Sequence, residues 1–298
     1  MRDLFTGVGV ALITPFNDDL SVDFPSLKNL LTTINEGNVD YLVINGTTSE
    51  ASTINNQEKM EILSFVHKHN SKKLPILYGI GANDTQFVLQ TIEEMNFEGV
   101  SGILTVSPYY NKPSQNGIIA HFEAIANISP VPVLLYNVPG RTGINMSAAT
   151  TLALAEHKNI FGIKEASGDL TQAIEIIKGK PEDFMLISGD DLLTVPMISI
   201  GAEGVISVLA NGYPKEFTSM VHLALKGEFQ EATSLLCGFA GINNLLYEES
   251  NPVGIKEVLK NKGVCKNNVR LPLISASKDL SVRITQENEI LEEYYSMI

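Results

Sequence analysis

The chain has 298 residues, of which 44% are hydrophobic and 18% charged, so it can fold around a large hydrophobic core. Its net charge of −13 argues against nucleic acid or an anionic membrane surface as a partner, because both are bound by clustered lysine and arginine. No apolar run reaches the ~20 residues of a membrane-spanning helix, and the first residues do not form a signal peptide. The two cysteines, Cys237 and Cys265, provide no disulfide framework. We therefore expect a cytoplasmic protein.

Eight short apolar runs alternate with segments of helical periodicity. The runs are apolar throughout, which is typical of parallel strands covered on both faces. They comprise residues 8–13, 41–45, 74–79, 100–106, 131–136, 160–164, 184–189 and 204–208. Eight strand–helix units over about 225 residues predict an α/β fold, the (β/α)₈ TIM barrel. A doubly wound sheet is the competing prediction, but it rarely has eight such regular units.

The helical segments carry start and stop signals. Pro25 suits the first turn of a helix that Gly37 would end, and Ser147 can cap a helix that runs to His157. The helix of the eighth unit begins near Pro214. Beyond Gly227 the pattern is helical only, over residues 229–247, 252–262 and 287–298. We therefore expect a catalytic barrel in residues 1–226 and a C-terminal helical appendage in residues 227–298.

Polar residues at the C-terminal ends of the predicted strands are the candidates for function, because barrel active sites lie at that end. They are Thr14, Gly46-Thr47-Thr48-Ser49-Glu50, Ser107-Pro108-Tyr109-Tyr110, Tyr136-Asn137, Lys164 and Gly189-Asp190-Asp191. The turn Gly46-Thr47-Thr48 could hold a carboxylate with its N–H groups and hydroxyls. An ordinary capping loop is the alternative, since threonine caps helices routinely.

Lys164 ends one of the apolar runs, and lysine is almost never buried without a partner or a purpose. Apolar surroundings disfavour an ammonium, so a lysine in such a place can supply a neutral amine that attacks a carbonyl carbon. The alternative is a side chain that reaches the surface or pairs with Glu165. The local sequence leaves both interpretations open.

Two further residues fit a site near Lys164. Tyr136 ends the neighbouring run and could relay protons, or it could be a core tyrosine with a satisfied hydroxyl. Arg141 follows in Pro139-Gly140-Arg141-Thr142-Gly143 and could bind a substrate carboxylate with two N–H groups. A solvated loop arginine is the alternative.

Metal and dinucleotide sites find no support in the sequence. The five histidines are scattered, and His67 and His69 would not share a helix face. The loop Gly79-Ile80-Gly81-Ala82-Asn83 lacks the third glycine of a dinucleotide fingerprint, so a plain tight turn is the better interpretation.

Four ordered motifs resemble the pyruvate-dependent class I aldolases, the N-acetylneuraminate lyase family. The motifs are Gly46-Thr47-Thr48-Ser49-Glu50, Pro108-Tyr109-Tyr110-Asn111-Lys112-Pro113, the segment 136–143 and the segment 162–169. The resemblance extends from Gly7 to Lys256. It is strongest to members that condense pyruvate with L-aspartate 4-semialdehyde to give 4-hydroxy-tetrahydrodipicolinate, in the diaminopimelate route of lysine biosynthesis.

The resemblance implies a role for each candidate residue. Lys164 would form a Schiff base with pyruvate, and the resulting enamine would attack the aldehyde of L-aspartate 4-semialdehyde. Since the lysine provides the electron sink, no cofactor and no metal are expected. The proton relay would be formed by Thr47, Tyr136 and Tyr110. The pyruvate carboxylate would be bound by Thr48 and Gly46, and the semialdehyde carboxylate by Arg141. The main-chain carbonyl of Ile206 would face the lysine. Tyr110 would come from a neighbouring subunit, commonly within a tetramer of tight dimers.

Two departures from the family pattern affect function. Ser49 stands where glycine is usual, which would matter only if that position needed a positive φ. Lysine-inhibited members bind lysine in an interface cleft near the positions of Ser52, Asn56, Lys59, Asn83, Phe87 and Tyr109. Here Phe87 replaces a glutamate and Asn56 a histidine, so an effector ammonium would lose a charged partner worth ~1.5–3 kcal/mol. We expect weak or absent inhibition by lysine.

Two alternative functions differ from this expectation. N-acetylneuraminate lyase uses the same lysine on another substrate, but it usually has Ser-Thr at Thr47-Thr48 and lacks the Arg-Thr-Gly sequence that starts at Arg141. A catalytically silent paralogue that binds pyruvate would normally have a broken proton relay, whereas every relay residue is present here. Treatment with borohydride and pyruvate separates an aldolase from a silent binder, because in a silent binder Lys164 would stay unmodified.

Overall fold

The computed structural model describes residues 1–297 and contains a closed barrel of eight parallel strands. The strands are β1 (Gly7–Ala11), β2 (Tyr41–Ile44), β3 (Ile76–Gly79), β4 (Gly102–Val106), β5 (Val133–Asn137), β6 (Ile160–Glu165), β7 (Met185–Ser188) and β8 (Gly204–Ser207). Consecutive strands pair throughout, and β8 closes the barrel by pairing with β1, with Ile206 opposite Gly9. The predicted (β/α)₈ fold is confirmed.

The first helix precedes β1, and the helices that follow the strands cover the barrel. In the first part of the described chain the helices are α1 (Arg2–Phe5), α2 (Phe24–Glu36), α3 (Asn56–His69), α4 (Thr85–Glu94), α5 (Gln115–Ile128), α6 (Pro139–Thr142), α7 (Ala148–Ala155), α8 (Leu170–Gly179), α9 (Thr194–Ser199) and α10 (Pro214–Leu225). Beyond Gly227 they are α11 (Phe229–Gly238), α12 (Ala240–Glu248), α13 (Val253–Asn261) and α14 (Lys278–Met297).

The predicted helix signals act as expected. Asp23 caps α2 by accepting a hydrogen bond from the Ser26 N–H, Pro25 lies in its first turn, and Gly37 ends it. Ser147 caps α7 by accepting from the Thr150 N–H. These caps satisfy N–H groups that have no partner within the first helical turn.

The lower end of the barrel is closed by the short helix α1. Its Phe5 is fully buried, with its ring stacked on Phe161 at 5.1 Å between centroids and edge-on to Tyr41 at 5.2 Å. The loops that carry the candidate residues lie at the opposite end, where the strands terminate. None of the described helices is both long enough and apolar enough to cross a membrane.

The C-terminal helices differ from the prediction at two places. The segment 229–247 is broken at Phe239, because the bend buries that ring against Tyr213 and Phe217 at 5.7 and 5.6 Å. The last helix begins at Lys278 instead of residue 287, since Ser277 caps it and Leu280 and Ile284 already lie on its buried face. Residue 298 lies outside the described residues. The division of the chain after residue 226 stays a prediction.

Candidate active site

Lys164 points into the upper end of the barrel. It pairs in register with Tyr136 of β5 and Ile187 of β7, and its side chain is only 7% exposed. Its Nζ lies over the Tyr136 ring, 4.5 Å from the centroid. Within residues 1–297, Lys164 forms no ion pair. The amine is therefore buried and has no carboxylate partner among the described residues.

The neighbouring Glu165 does not neutralise this amine. Successive side chains of a strand point to opposite faces, so Glu165 faces the helices. Its carboxylate accepts hydrogen bonds from Asn137 Nδ2 at 3.0 and 3.1 Å, Gln172 Nε2 at 3.0 Å and the Ser167 N–H at 2.7 Å. These hydrogen bonds fix the position of the C-terminal end of β6, which includes Lys164. The alternative interpretation of Lys164 as a partner of Glu165 is thereby excluded.

Gly189 leaves the space through which the Lys164 side chain passes. A Cβ at this position would lie 3.0 Å from Lys164 Cε and 2.6 Å from Ala166 Cβ. The sequence identified Gly189 only as the end of a strand, because steric contact across strands has no local sequence signal.

We expect Gly189→Ala to lower kcat by about 100-fold, since the added methyl group would displace the amine from its reacting position. Gly140→Ala is the matched control, because a Cβ at Gly140 meets nothing within 4 Å. Steady-state kinetics of both purified variants test this, and equal kcat values for the two would contradict it.

The phenols predicted for a proton relay occupy different environments. Tyr136 is 8% exposed and lies beside Lys164. Tyr110, in the loop after β4, is 88% exposed and adopts a positive φ of 76°. Thr47 is exposed at the start of the turn after β2. A single chain thus brings Tyr136 to the lysine, whereas its own Tyr110 projects into solvent.

The turn after β2 presents donors to the mouth. It is a single 3₁₀ turn, Thr47–Ser49, that begins at Gly46. Within the described chain the N–H groups of Thr47 and Thr48 donate to no acceptor, as expected for the first amides of a helical turn. A Cβ at Gly46 would meet nothing within 4 Å, so the approach to these amides is open. The arrangement suits a small carboxylate.

Ser49 fits the turn without strain. It is not among the residues with positive φ, and its Oγ donates a 2.6 Å hydrogen bond to the Leu12 carbonyl. The serine therefore ties the turn to the chain just after β1. The departure from glycine at this position does not reshape the turn through backbone strain.

The remaining candidates lie around the same mouth. Arg141 is exposed on the short helix α6, directly after β5. Ile206 is 1% exposed in β8, and its side chain belongs to the apolar cluster inside the barrel that also includes Tyr136. The structure brings Tyr136 and Lys164 into contact, and it places Arg141 and the turn after β2 at the same end of the barrel.

The sequence identified Asp191 only as one of the polar residues at the end of the seventh strand and gave it no role. It is 3% exposed, and its Oδ2 accepts from the N–H groups of Val208 and Leu209 at 3.1 and 2.9 Å, which anchors the loop after β8. Burial raises the pKa of the Asp191 carboxyl to about 6, although these donors favour the charged form. Its other oxygen, Oδ1, has no partner within residues 1–297.

The raised pKa of Asp191 predicts a pH-dependent stability. Its stabilising contribution is complete below the unfolded pKa of ~3.9 and is lost as the pH rises through the folded value of about 6. Between about pH 5 and about pH 7.5, the wild type should lose roughly 1 kcal/mol of unfolding free energy relative to Asp191→Asn. Urea unfolding of both proteins at one protein concentration measures this. A difference that does not change with pH would contradict it.

The residues predicted for an effector cleft lie on the surface near α3 and α4. Ser52, Asn56, Asn83, Phe87 and Tyr109 are exposed, and burial lowers the pKa of the half-buried Lys59. No carboxylate belongs to this set. The one ionisable amine in it, Lys59, has the same charge as a lysine effector.

A (β/α)₈ barrel with a buried lysine amine in its mouth is the arrangement of class I, Schiff-base-forming aldolases. The chain belongs to the dihydrodipicolinate synthetase family, whose model matches residues 4–289. It is 54% identical over 291 residues to the 4-hydroxy-tetrahydrodipicolinate synthase of Cytophaga hutchinsonii, covering 97% of this chain and 98% of the relative.

Solved structures agree with this assignment. One is the chloride-inhibited dihydrodipicolinate synthase of Acinetobacter baumannii complexed with pyruvate, with 35% identity and a TM-score of 0.93, covering 96% of this chain and 99% of the other. Another, described as a monomeric dihydrodipicolinate synthase variant, has 32% identity and a TM-score of 0.94, covering 98% of both chains. The predicted family is confirmed.

Proposed function

We propose that this protein is a lyase that condenses pyruvate with L-aspartate 4-semialdehyde to give 4-hydroxy-tetrahydrodipicolinate in lysine biosynthesis. The observation that carries the proposal is the buried Lys164 amine, which forms no ion pair within residues 1–297 and lies 4.5 Å from the centroid of the Tyr136 ring at the mouth of the barrel. The near-complete coverage of a synthase 54% identical to this chain supports the same reaction.

The chemistry begins at Lys164 Nζ. The amine attacks the keto carbon of pyruvate and water leaves, which gives a protonated imine. Loss of a methyl proton gives the enamine, whose carbon attacks the aldehyde carbon while the aldehyde oxygen gains a proton. The amino group of the semialdehyde then displaces Lys164 from the imine carbon, which closes the ring and restores the free amine.

Proton transfer in these steps is assigned to Tyr136. It is the phenol that lies beside the lysine in this chain, and a phenol can accept and return protons at neighbouring atoms. Thr47 and the partner subunit's Tyr110 would connect Tyr136 to solvent. The 88% exposure of Tyr110 supports the proposal that it serves another subunit rather than its own.

The two substrate carboxylates are assigned to different groups. The pyruvate carboxylate binds the free N–H groups of the turn after β2 and the Thr48 hydroxyl. The semialdehyde carboxylate binds Arg141, whose exposed guanidinium offers two parallel N–H donors. The main-chain carbonyl of Ile206 is proposed to face the side chain of Lys164.

The assembly follows from the shared tyrosine. We expect a homo-oligomer, with a dimer as the smallest active unit and a dimer of dimers as the full assembly.

Cys237 and Cys265 are free, which supports the prediction of a cytoplasmic location.

We expect lysine to inhibit this enzyme weakly or not at all. The predicted cleft offers Phe87 and Asn56 but no carboxylate, and Lys59 would repel the effector ammonium. Initial rates over a lysine series measure this. Activity halved by sub-millimolar lysine would contradict it. In that case, inhibition of Phe87→Glu by lysine should be compared with inhibition of the wild type, to see whether an added carboxylate strengthens it.

The function is tested by pyruvate consumption in the purified protein on addition of L-aspartate 4-semialdehyde. Consumption that depends on both substrates is expected. Consumption with a different aldehyde only would indicate a related aldolase, and Arg141 would be the first assignment to withdraw. Binding of pyruvate without consumption would indicate a silent paralogue.

A further inference from the structure

A buried charged cluster lies next to the proposed carboxylate turn but takes no part in the chemistry described above. Lys256 of α13 has no exposed surface, and its Nζ donates to Glu50 Oε1 at 2.5 Å and to the Asn268 carbonyl at 2.8 Å. It also lies over the Phe16 ring, 4.2 Å from the centroid. A buried ion pair is weak evidence for stability, because desolvation of both charges offsets their attraction. A role in fixing local geometry is therefore the better explanation.

Glu50 connects this cluster to the turn. It directly follows the 3₁₀ turn, adopts a left-handed φ of 58°, and its N–H donates to the Thr47 carbonyl at 3.0 Å. Both of its carboxylate oxygens bind the C-terminal region, since Oε1 accepts from Lys256 and Oε2 accepts from the Arg270 N–H at 2.8 Å. The side chain thus fixes the end of the turn to residues some two hundred positions away.

Asn251 makes a second connection, to the hydroxyl itself. Its Nδ2 donates to Thr48 Oγ1 at 3.0 Å, and both residues are buried, at 6% and 4% exposure. The hydroxyl accepts this hydrogen bond, and within residues 1–297 its own hydrogen has no acceptor. Since the Asn251 amide occupies a lone pair of the oxygen, the O–H points away from Asn251, and its hydrogen is available to a ligand carboxylate.

We infer that Asn251 and Lys256 are positioning residues for the pyruvate carboxylate. Asn251 directs the Thr48 hydroxyl hydrogen towards the substrate, and Lys256 holds the backbone of the turn in place through Glu50. The C-terminal helices therefore contribute to substrate binding through the turn. This inference rests on the proposed function, because it takes pyruvate as the ligand of the turn.

The Asn251 part is tested with Asn251→Asp, whose carboxylate can only accept and would take the Thr48 hydrogen. We expect KM for pyruvate to rise about 10- to 100-fold, with kcat at saturating pyruvate within a few-fold of wild type. Asn261→Asp is the matched control, because Asn261 makes the same amide-to-threonine contact with Thr285 in the same helical region. Unchanged KM in Asn251→Asp would overturn the assignment.

A mutant cycle shows whether Asn251 acts through Thr48. Thr48→Val removes the hydroxyl, so adding Asn251→Ala to it should change KM for pyruvate little further. Fully additive effects of the two substitutions would mean that Asn251 acts elsewhere, and would overturn its role.

The Lys256 part needs two variants, because Lys256→Met leaves the Glu50 carboxylate buried without its partner. Lys256→Met/Glu50→Gln removes both charges together. We expect each folded variant to raise KM for pyruvate by about 10-fold, whereas Lys260→Met, which removes the half-exposed partner of Glu257 in the same helix, should not. Wild-type KM in the folded double variant would overturn the role of Lys256, and so would failure of both variants to fold, since that indicates a general structural role.

Methyl pyruvate separates positioning of the carboxylate from damage to the amine. This neutral ester presents the same keto group, so borohydride trapping of it should proceed at similar rates in wild type and variants. Trapping of pyruvate at low concentration should slow in the variants only. Equal slowing with both compounds would overturn the inference. Absence of pyruvate trapping in the wild type would instead refute the proposed function.

Discussion

Lys164→Ala is expected to lower kcat for the condensation by at least about 10⁴-fold, because the proposed covalent intermediates form on the Lys164 amine. Lys164→Arg should be equally inactive, since it keeps a positive charge but cannot form an imine under these conditions. The side chain is buried beside Tyr136 and is not part of an ion pair in residues 1–297. Its loss should therefore leave the fold intact.

The measurement is the initial rate with both substrates, together with circular dichroism of each variant. Lys178→Ala is the control, since Lys178 is exposed on α8, the helix that follows the same strand. Residual activity within a few-fold of wild type in a folded Lys164→Ala protein would exclude Lys164 as the nucleophile.

The second large effect is expected from Tyr110. Tyr110→Phe should lower kcat by about 100-fold or more with little effect on unfolding, because its ring is 88% exposed in the chain and loses only its hydroxyl. An effect of this size is expected because, in the proposed assembly, the phenol enters the site of another subunit and takes part in proton transfer there.

Subunit mixing tests the sharing directly. Lys164→Ala alone should be inactive, and Tyr110→Phe alone should retain about 1% of wild-type activity or less. After joint refolding, each mixed dimer has one site with both an intact Lys164 and the partner's Tyr110, so about a quarter of wild-type sites should be recovered by random pairing. No recovery above the separate variants, with mixed dimers detected by native mass spectrometry, would contradict a shared site.

The barrel was predictable from sequence because each strand is marked by a short apolar run and several of the helices by a cap residue, a proline or helical periodicity. Pro25, Gly37 and Ser147 act locally, so their effect can be read without knowledge of the fold. The break at Phe239 was missed because it depends on a pocket formed by Tyr213 and Phe217 from another helix and its flank. Local sequence patterns do not indicate packing between residues that are distant in the chain.

The same distinction applies to the site. Lys164 and Tyr136 were predicted because they end neighbouring parallel strands, and such ends meet at one edge. Asn251 contacts Thr48 across 203 positions, and Gly189 matters only for the space it leaves beside Lys164. These contributions become visible only after the chain has closed into a barrel.

The central claim, that Lys164 forms a Schiff base with pyruvate, is tested most directly by borohydride reduction in the presence of pyruvate, followed by peptide mass spectrometry. Imine formation releases water and reduction adds two hydrogen atoms, so the modified peptide should gain the mass of pyruvic acid less one oxygen atom. We predict this modification on Lys164 alone and its absence from Lys164→Ala. An unmodified Lys164, or the same modification on another lysine, would contradict the account.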